Sequence, residues 1–286
     1  MSEAAAAPLC LPPRPLRNGG DLRLPTGTCD SHFHVFASGA PLTSPRSYTP
    51  RMETLAGWLA LADSFGIVRG VLVQPSVYGL DNTVLLDALA QAPDRLRGIV
   101  VIAAETPVSE IARLDDLGVR GVRINLRNKG GVGIDALAEL APRIREFGWH
   151  VQFQVGPDSI GAVTRLCDQY DIAGVIDHLA FMTLDAPETA LEDLQRGLDR
   201  GRVFTKISAP YRLKDNSNRD GYCRVVQKLA QDHAHRLVWG SDWPHTELFD
   251  SMPEDDELVA LSLAAVPAPS HDLVFTQTAK LLYWSH

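Results

Sequence analysis

His32 and His34 stand two residues apart in the apolar run Thr28-Cys-Asp-Ser-His-Phe-His-Val-Phe36. Alternate residues of a β-strand share a face, so the two imidazoles point the same way, with Asp30 expected on that face too. Rings so placed can ligate a metal ion or surround a polarised carbonyl oxygen. An isolated His-x-His is as readily a pair of half-exposed side chains at a strand end, so the weight comes from the later strands. Polar residues recur at the ends of their apolar runs: Ser76, Arg123, Gln154, Asp177-His178, Ser208 leading to Arg212, and Asp242. Each alone has an ordinary reading, His178 as a satisfied core histidine, Arg123 as a surface charge, Asp242 as a helix cap. Together they describe one rim.

Two chemistries fit three histidines and one carboxylate. His32, His34 and Asp242, joined by His178, can hold a divalent ion that activates water. Without a metal, the histidines polarise a carbonyl oxygen and Asp242 takes the proton of an attacking water. Arg123, Arg127, Lys129 and Arg212 follow strand ends in an otherwise acidic chain, where bidentate carboxylate binding suits the arginines. Salt bridging to nearby acids is the competing reading, and it weighs most at Arg127 and Lys129.

The elements that position this rim alternate regularly. Amphipathic helical patterns closed by Gly66, Gly118 and Gly148 are each followed by a short β-branched run. Strand signals begin near Thr28, Val68, Leu96, Val119, His150, Gly174, Val203 and Leu237; helical ones lie near Arg51–Phe65, after Asn82 as cap, and from Val108, Asp135, Asp158, Pro187 and Arg219. Two further helical stretches, Pro253–Ala264 and Ser270–Tyr283, complete the outer ring. Such spacing predicts an α/β fold, a (β/α)8 TIM barrel over residues 28–286 whose site lies at the C-terminal strand ends. An open doubly wound sheet is the weaker alternative, because no G-x-G-x-x-G follows the first strand. Residues 1–27 carry Pro8, Pro12, Pro13, Pro15 and Pro25 with Gly19-Gly20, which predicts an extended N-terminal arm.

At 286 residues, 45% hydrophobic and 22% charged, the chain has the composition of a globular protein with a sizeable core. Its formal net charge of -8 argues against a nucleic-acid or anionic-membrane partner. Cys10, Cys29, Cys167 and Cys223 lie far apart without a C-x-x-C pair, which suits a reduced compartment. No apolar run approaches the roughly 20 residues that span a bilayer, and the N-terminus lacks a signal peptide's basic and apolar regions. A cytoplasmic location is the expectation.

The motifs together resemble the amidohydrolase superfamily, in its 2-pyrone-4,6-dicarboxylate lactonase branch, over nearly all of the chain after Gly27. They are Asp30-Ser-His-Phe-His-Val-Phe36, Ser47-Tyr-Thr-Pro50, Val73-Gln-Pro-Ser76 with Gly79-Leu-Asp-Asn82, Gly121-Val-Arg-Ile-Asn125, Gly148-Trp-His150, Ile176-Asp-His178, Lys206-Ile-Ser-Ala-Pro-Tyr-Arg-Leu213 and Val238-Trp-Gly-Ser-Asp-Trp-Pro-His245. The resemblance implies hydrolysis of a carboxylate-bearing lactone in aromatic or sugar-acid catabolism, with His32, His34 and His178 around the carbonyl and Asp242 as general base. Tyr48, Ser76, Arg123 and Arg212 would bind the substrate.

Three positions depart from that branch on the substrate side. Lys129 stands for a second carboxylate-binding arginine, Gln154 for a tyrosine and Glu247 for an asparagine. Pyrone lactonases work without a metal, whereas relatives that bind zinc recruit a fifth-strand ligand; here that strand offers Gln154, a poor zinc ligand. The expectation therefore leans to a metal-independent site, with His32, His34 and Asp242 as the ligands of one divalent ion, zinc for example, if a metal is bound. The rivals are a lactone isomerase or decarboxylase on the same scaffold, a zinc-dependent sulfomuconolactone hydrolase, an amide or imide hydrolase, and a barrel that only binds an anion.

Overall fold

A computed structural model describes residues 7–17, 22–184, 189–214 and 217–285. Eight parallel strands lie side by side in chain order: β1 (Cys29–Phe33), β2 (Arg69–Val73), β3 (Leu96–Val100), β4 (Val119–Asn125), β5 (His150–Gln154), β6 (Gly174–Ile176), β7 (Val203–Lys206) and β8 (Leu237–Val238). The chain after β8 returns to β1: Ser31 donates its N–H to the Trp239 carbonyl at 3.0 Å, and the Asp242 N–H donates to the His32 carbonyl at 2.8 Å. Those bonds close the sheet into the expected (β/α)8 barrel. Helices α1 (Leu55–Phe65), α2 (Thr83–Gln91), α3 (Val108–Asp116), α4 (Leu137–Arg145), α5 (Ile160–Tyr170), α6 (Thr189–Asp199) and α7 (Arg219–His233) follow the first seven strands. α8 (Asp255–Ala265) and α9 (Thr278–Trp284) follow the last.

Glycine closes helices here because a left-handed residue frees the chain to turn at no Cβ cost. Gly66 has φ 79° and donates its N–H to the Ala62 carbonyl, ending α1 before β2. Asn82 stands at the N-cap of α2 as expected, but its side chain does not bond the helix's first turn. Its side chain bonds both the N–H and the carbonyl of Val101, at 3.1 and 2.9 Å, and so ties the start of α2 to the end of β3. The helix expected from Pro187 is described from Thr189 onward; Pro187 lies outside the described residues.

Two apolar layers follow from strand alternation. Leu72, Val100, Val122 and Ile176 face outward onto the helices. Val71, Val73, Ile99, Val175, Phe204 and Val238 face inward, where Ala279, Leu282 and Tyr283 of α9 close the barrel floor. Above that floor the interior turns polar, with Gln152 and Lys206 each 0% exposed. Among the described residues no single helix is long and apolar enough to cross a membrane.

Described parts of residues 1–27 run without helix and pair with two loops at the C-terminal end of the barrel. Cys10 donates its N–H to Thr49, and Leu11 to Leu248, both at 2.9 Å. Residues 1–6 and 18–21 of the expected arm lie outside the described residues.

Asp30 does not share the histidine face. The pairing of β1 with β2 slips register between Asp30 and Phe33, and the Asp30 carboxylate is spent on the frame. It accepts from the N–H groups of His32 (3.1 Å) and Ser241 (2.8 Å), from Trp58 Nε1 (2.9 Å) and from Ser241 Oγ (2.6 Å). One buried side chain thus joins β1, α1 and the loop that carries Asp242. Asp30→Ala would leave those donors buried without partners, and we expect a loss of at least about 3 kcal/mol in unfolding free energy, read by chemical denaturation. Wild-type stability in that variant would contradict the anchoring role.

Candidate active site

The strands end in turns that aim polar side chains over the barrel mouth. His178 opens a left-handed turn: His178, Leu179, Ala180 and Phe181 have φ of 50, 50, 54 and 55°. Backbone of this kind costs about 1–2 kcal/mol per non-glycine residue, and burial of Leu179, Ala180 and Phe181 holds it. Asp242, at φ 60°, is held the same way.

Four expected catalytic residues converge. His32 Nε2 lies 3.2 Å from His34 Nε2. Oδ1 of Asp242 lies 3.6, 3.9 and 3.7 Å from the Nε2 atoms of His32, His34 and His178. That oxygen is buried and, among the described residues, accepts no hydrogen bond. Oδ2, by contrast, accepts from Tyr211 O–H and Arg212 Nε, both at 2.6 Å. One oxygen is fixed and the other is bare, facing three imidazoles.

His34 Nδ1 lies 2.7 Å from the Val73 carbonyl. A carbonyl only accepts, so Nδ1 carries the hydrogen, and a neutral His34 presents a bare Nε2 lone pair. Such a nitrogen is a ligand or an acceptor; donating to a substrate carbonyl would need the imidazolium. At His32 the tautomer is set from behind, where the fully buried Lys206 ammonium reaches His32 Nδ1 at 3.1 Å, the Ser31 carbonyl at 2.8 Å and Gln152 Oε1 at 2.7 Å. Asp177 Oδ1 stands 3.3 Å from the same His32 nitrogen and 3.4 Å from Lys206 Nζ. Burial lowers the Lys206 ammonium to about 8, against the opposing pull of Asp177.

The spacings fit a divalent ion. Ligand atoms in a tetrahedral zinc site, with bonds of about 2.0–2.2 Å, lie roughly 3.3–3.6 Å apart, close to the 3.2, 3.6 and 3.9 Å among His32, His34 and Asp242. Binding there requires the other His32 tautomer, with the hydrogen on Nδ1 donated to Asp177 in place of the bond from Lys206, leaving Nε2 bare.

Of the residues expected to bind substrate, Tyr48, Ser76, Arg123, Gln154 and Arg212 line one cavity with His34, His178 and Asp242, with about 240 Å³ of empty space including its mouth. Tyr48 is kept neutral, burial pushing its phenol well above the usual range. Lys129 departs from expectation: its side chain is exposed and does not line the cavity, only its backbone N–H reaching Ser47 Oγ at 3.0 Å. The turn Gly130-Gly131 explains this, because Gly130 at φ 93° packs against the Ser76 carbonyl, where a Cβ would come within 2.5 Å, and carries the chain away. Asn125, Asn128, Thr246 and Glu247 line the cavity as well. Asp177 stands on the rim read from the sequence, and Lys206 and Tyr211 lie within one of its motifs, but the sequence assigned none of the three a role in the site.

Charge states follow from burial. Burial lowers His34 to about 3, with Arg123 adding, and His178 to about 4 against the pull of Asp242. For Asp242 burial opposes ionisation, but Arg212 and then the histidines hold the carboxyl well below its usual range. Both histidines have folded-state pKa values below the ordinary 6.5. Below that pH the unfolded chain takes up protons the folded chain refuses, so their contribution is full above about pH 6.5 and falls as pH drops. At pH 5 we expect about 2 kcal/mol less stability per histidine than at pH 7, read as a lowered Tm. An unchanged Tm would contradict the buried neutral histidines.

The amidohydrolase family model matches residues 29–283. The chain is 31% identical to a 2-pyrone-4,6-dicarboxylate hydrolase of Comamonas testosteroni, over 92% of each chain. It is 32% identical to a 4-sulfomuconolactone hydrolase of Rhizobium radiobacter, over 98% of each. Among solved structures, a probable 2-pyrone-4,6-dicarboxylic acid hydrolase of Acinetobacter baumannii, with citric acid bound, superposes with a TM-score of 0.80. It is 26% identical, and the match covers 90% of this chain and 99% of that one. A family match that begins at β1 and ends in α9, over a barrel whose rim carries the histidines and Asp242, means that this chain belongs to the amidohydrolase family.

Proposed function

We propose that this protein hydrolyses a carboxylate-bearing lactone, with Asp242 as general base. The observation that carries this reading is the asymmetry of Asp242: Oδ2 is fixed by Arg212 and Tyr211, and Oδ1 is bare toward three imidazoles, of which His34 and His178 line the cavity. The names of both relatives describe anionic lactones, which agrees with the arginines in the cavity wall.

Water is deprotonated by Asp242 Oδ1 as its oxygen adds to the lactone carbonyl carbon. His178 faces the carbonyl oxygen, and Lys206, donating to His32 Nδ1, keeps the His32 hydrogen on Nε2, 3.2 Å from the bare Nε2 of His34. Breaking the acyl carbon–oxygen bond then returns the proton from Asp242 to the departing ring oxygen. The new carboxyl group ionises, so each turnover releases one proton. Arg123 binds the substrate carboxylate. His32, His34 and Asp242 would hold a divalent ion, which when bound supplies Lewis-acid polarisation and a more acidic water.

A panel of lactones, amides and imides assayed by proton release tests the reading. Expected is stoichiometric proton release with an anionic lactone and none with the amides or imides. Conversion of a lactone to an isomer without proton release would overturn it in favour of an isomerase. Elemental analysis, with activity before and after chelation, tests the ion. Turnover abolished by chelation and restored by zinc would establish it, and full activity in metal-free protein would assign the carbonyl to the side chains alone.

A further inference from the structure

We propose that Glu247 makes this site selective for a lactone with a single carboxylate and a neutral hydroxyl group opposite it, and excludes a second carboxylate. The inference rests on the cavity being the substrate site. Its charged lining residues are Arg123, Arg212, Asp242 and Glu247, two of each sign. The cavity is thus electrically balanced before any ligand enters, and its two arginines are not equivalent.

Arg123 donates to the Gln74 carbonyl at 3.0 Å and to Gln154, and lies 3.4 Å from Asp177. Its Nε–H is buried without a partner among the described residues, and Asp177 already has the Lys206 ammonium 3.4 Å away. Arg123 therefore retains a donor and charge for a ligand. Arg212 has four of its five N–H groups engaged: Nε donates to Asp242 at 2.6 Å, Nη2 to Thr246 at 2.9 and 3.3 Å, and Nη1 to Glu247 Oε2 at 3.3 Å.

Glu247 is built into the wall. Its other oxygen accepts from Asn128 Nδ2, while Asn128 Oδ1 accepts from Gln154 Nε2 at 2.8 Å. The belt Arg212–Glu247–Asn128–Gln154–Arg123 links the two arginines. The Glu247 backbone, at φ 62°, donates its N–H to Cys10 Sγ at 3.3 Å. A second carboxylate near Arg212 would meet this carboxylate head on, and the exposed Lys129 does not line the cavity to offset it. A hydroxyl there donates to Glu247 and accepts from the amides.

Calorimetric titration with two inert flat rings, 3-hydroxybenzoate and benzene-1,3-dicarboxylate, tests this. Wild type is expected to bind the hydroxy acid at least about tenfold more tightly, and Glu247→Gln to narrow or invert that ratio by roughly tenfold or more. Glu247→Asp, which keeps the charge, should retain the preference. Equal or tighter binding of the dicarboxylate by wild type, a ratio unmoved in Glu247→Gln, or binding of neither anion would overturn the proposal. If wild type shows the preference yet hydrolyses neither mono- nor dicarboxylated lactones, the lactonase reading fails and the selectivity stands.

Discussion

Replacing Asp242 by asparagine is expected to lower kcat by about 10³-fold, within the range that a general base contributes. The substitution keeps the shape of the side chain and an oxygen to accept from Tyr211 and Arg212. What it removes is the bare Oδ1, the one buried carboxylate oxygen that stands 3.6–3.9 Å from all three imidazoles. Because Arg212 and the histidines hold Asp242 ionised, wild-type turnover should stay level across neutral pH and fall only in acid. Steady-state kinetics with a thermal melt separate loss of chemistry from loss of fold. Unchanged turnover in a folded Asp242→Asn variant would remove this residue as the base.

Lys206→Met is the second large effect, and it acts first on stability. The ammonium is 0% exposed and compensates Asp177, which is equally buried. Removing one partner of such a pair leaves a buried charge uncompensated and costs about 3–5 kcal/mol. His32 loses its Nδ1 donor at the same time, so the ring tautomer is released. Expected are a loss of that size in chemical denaturation, a lowered kcat, and a changed His32 signal in nitrogen NMR of the imidazoles. Lys206→Met combined with Asp177→Asn should regain part of the stability, since it removes the orphaned charge. A single variant as stable as wild type would contradict the pairing.

These two residues also mark where sequence reading stops. The β-branched runs and the glycines that close the helices located all eight strands, because both signals are local. Strand ends were less legible: the runs read through to His178 and Asp242, but β6 stops at Ile176 and β8 at Val238. There the backbone turns left-handed at residues that are not glycine, at His178–Phe181, Ala209 and Asp242. Tertiary burial imposes those turns and no local propensity announces them.

The rim was legible because C-terminal strand ends are where this architecture puts polar side chains. Lys206 was not, although a lysine in Val203-Phe-Thr-Lys-Ile-Ser208 and an aspartate in Gly174-Val-Ile-Asp-His178 are charges inside two otherwise apolar runs. Strands with a buried inner face cannot carry such charges singly, so pairing them across β6 and β7 was the available signal. The place of Lys129 after β4 suits substrate binding or a salt bridge alike, whereas the glycine turn beside it carries it to the surface. The bond of Glu247 to Arg212 depends on a left-handed residue nine positions beyond β8, out of reach of any periodicity.

Turnover of an anionic lactone in water enriched in ¹⁸O, with the product read by mass spectrometry, tests the central claim most directly. Attack of an Asp242-activated water on the acyl carbon should place one ¹⁸O atom in the new carboxylate and none in the freed hydroxyl, at a rate that collapses in Asp242→Asn. A product without label, or one labelled at the alcohol carbon, would contradict it.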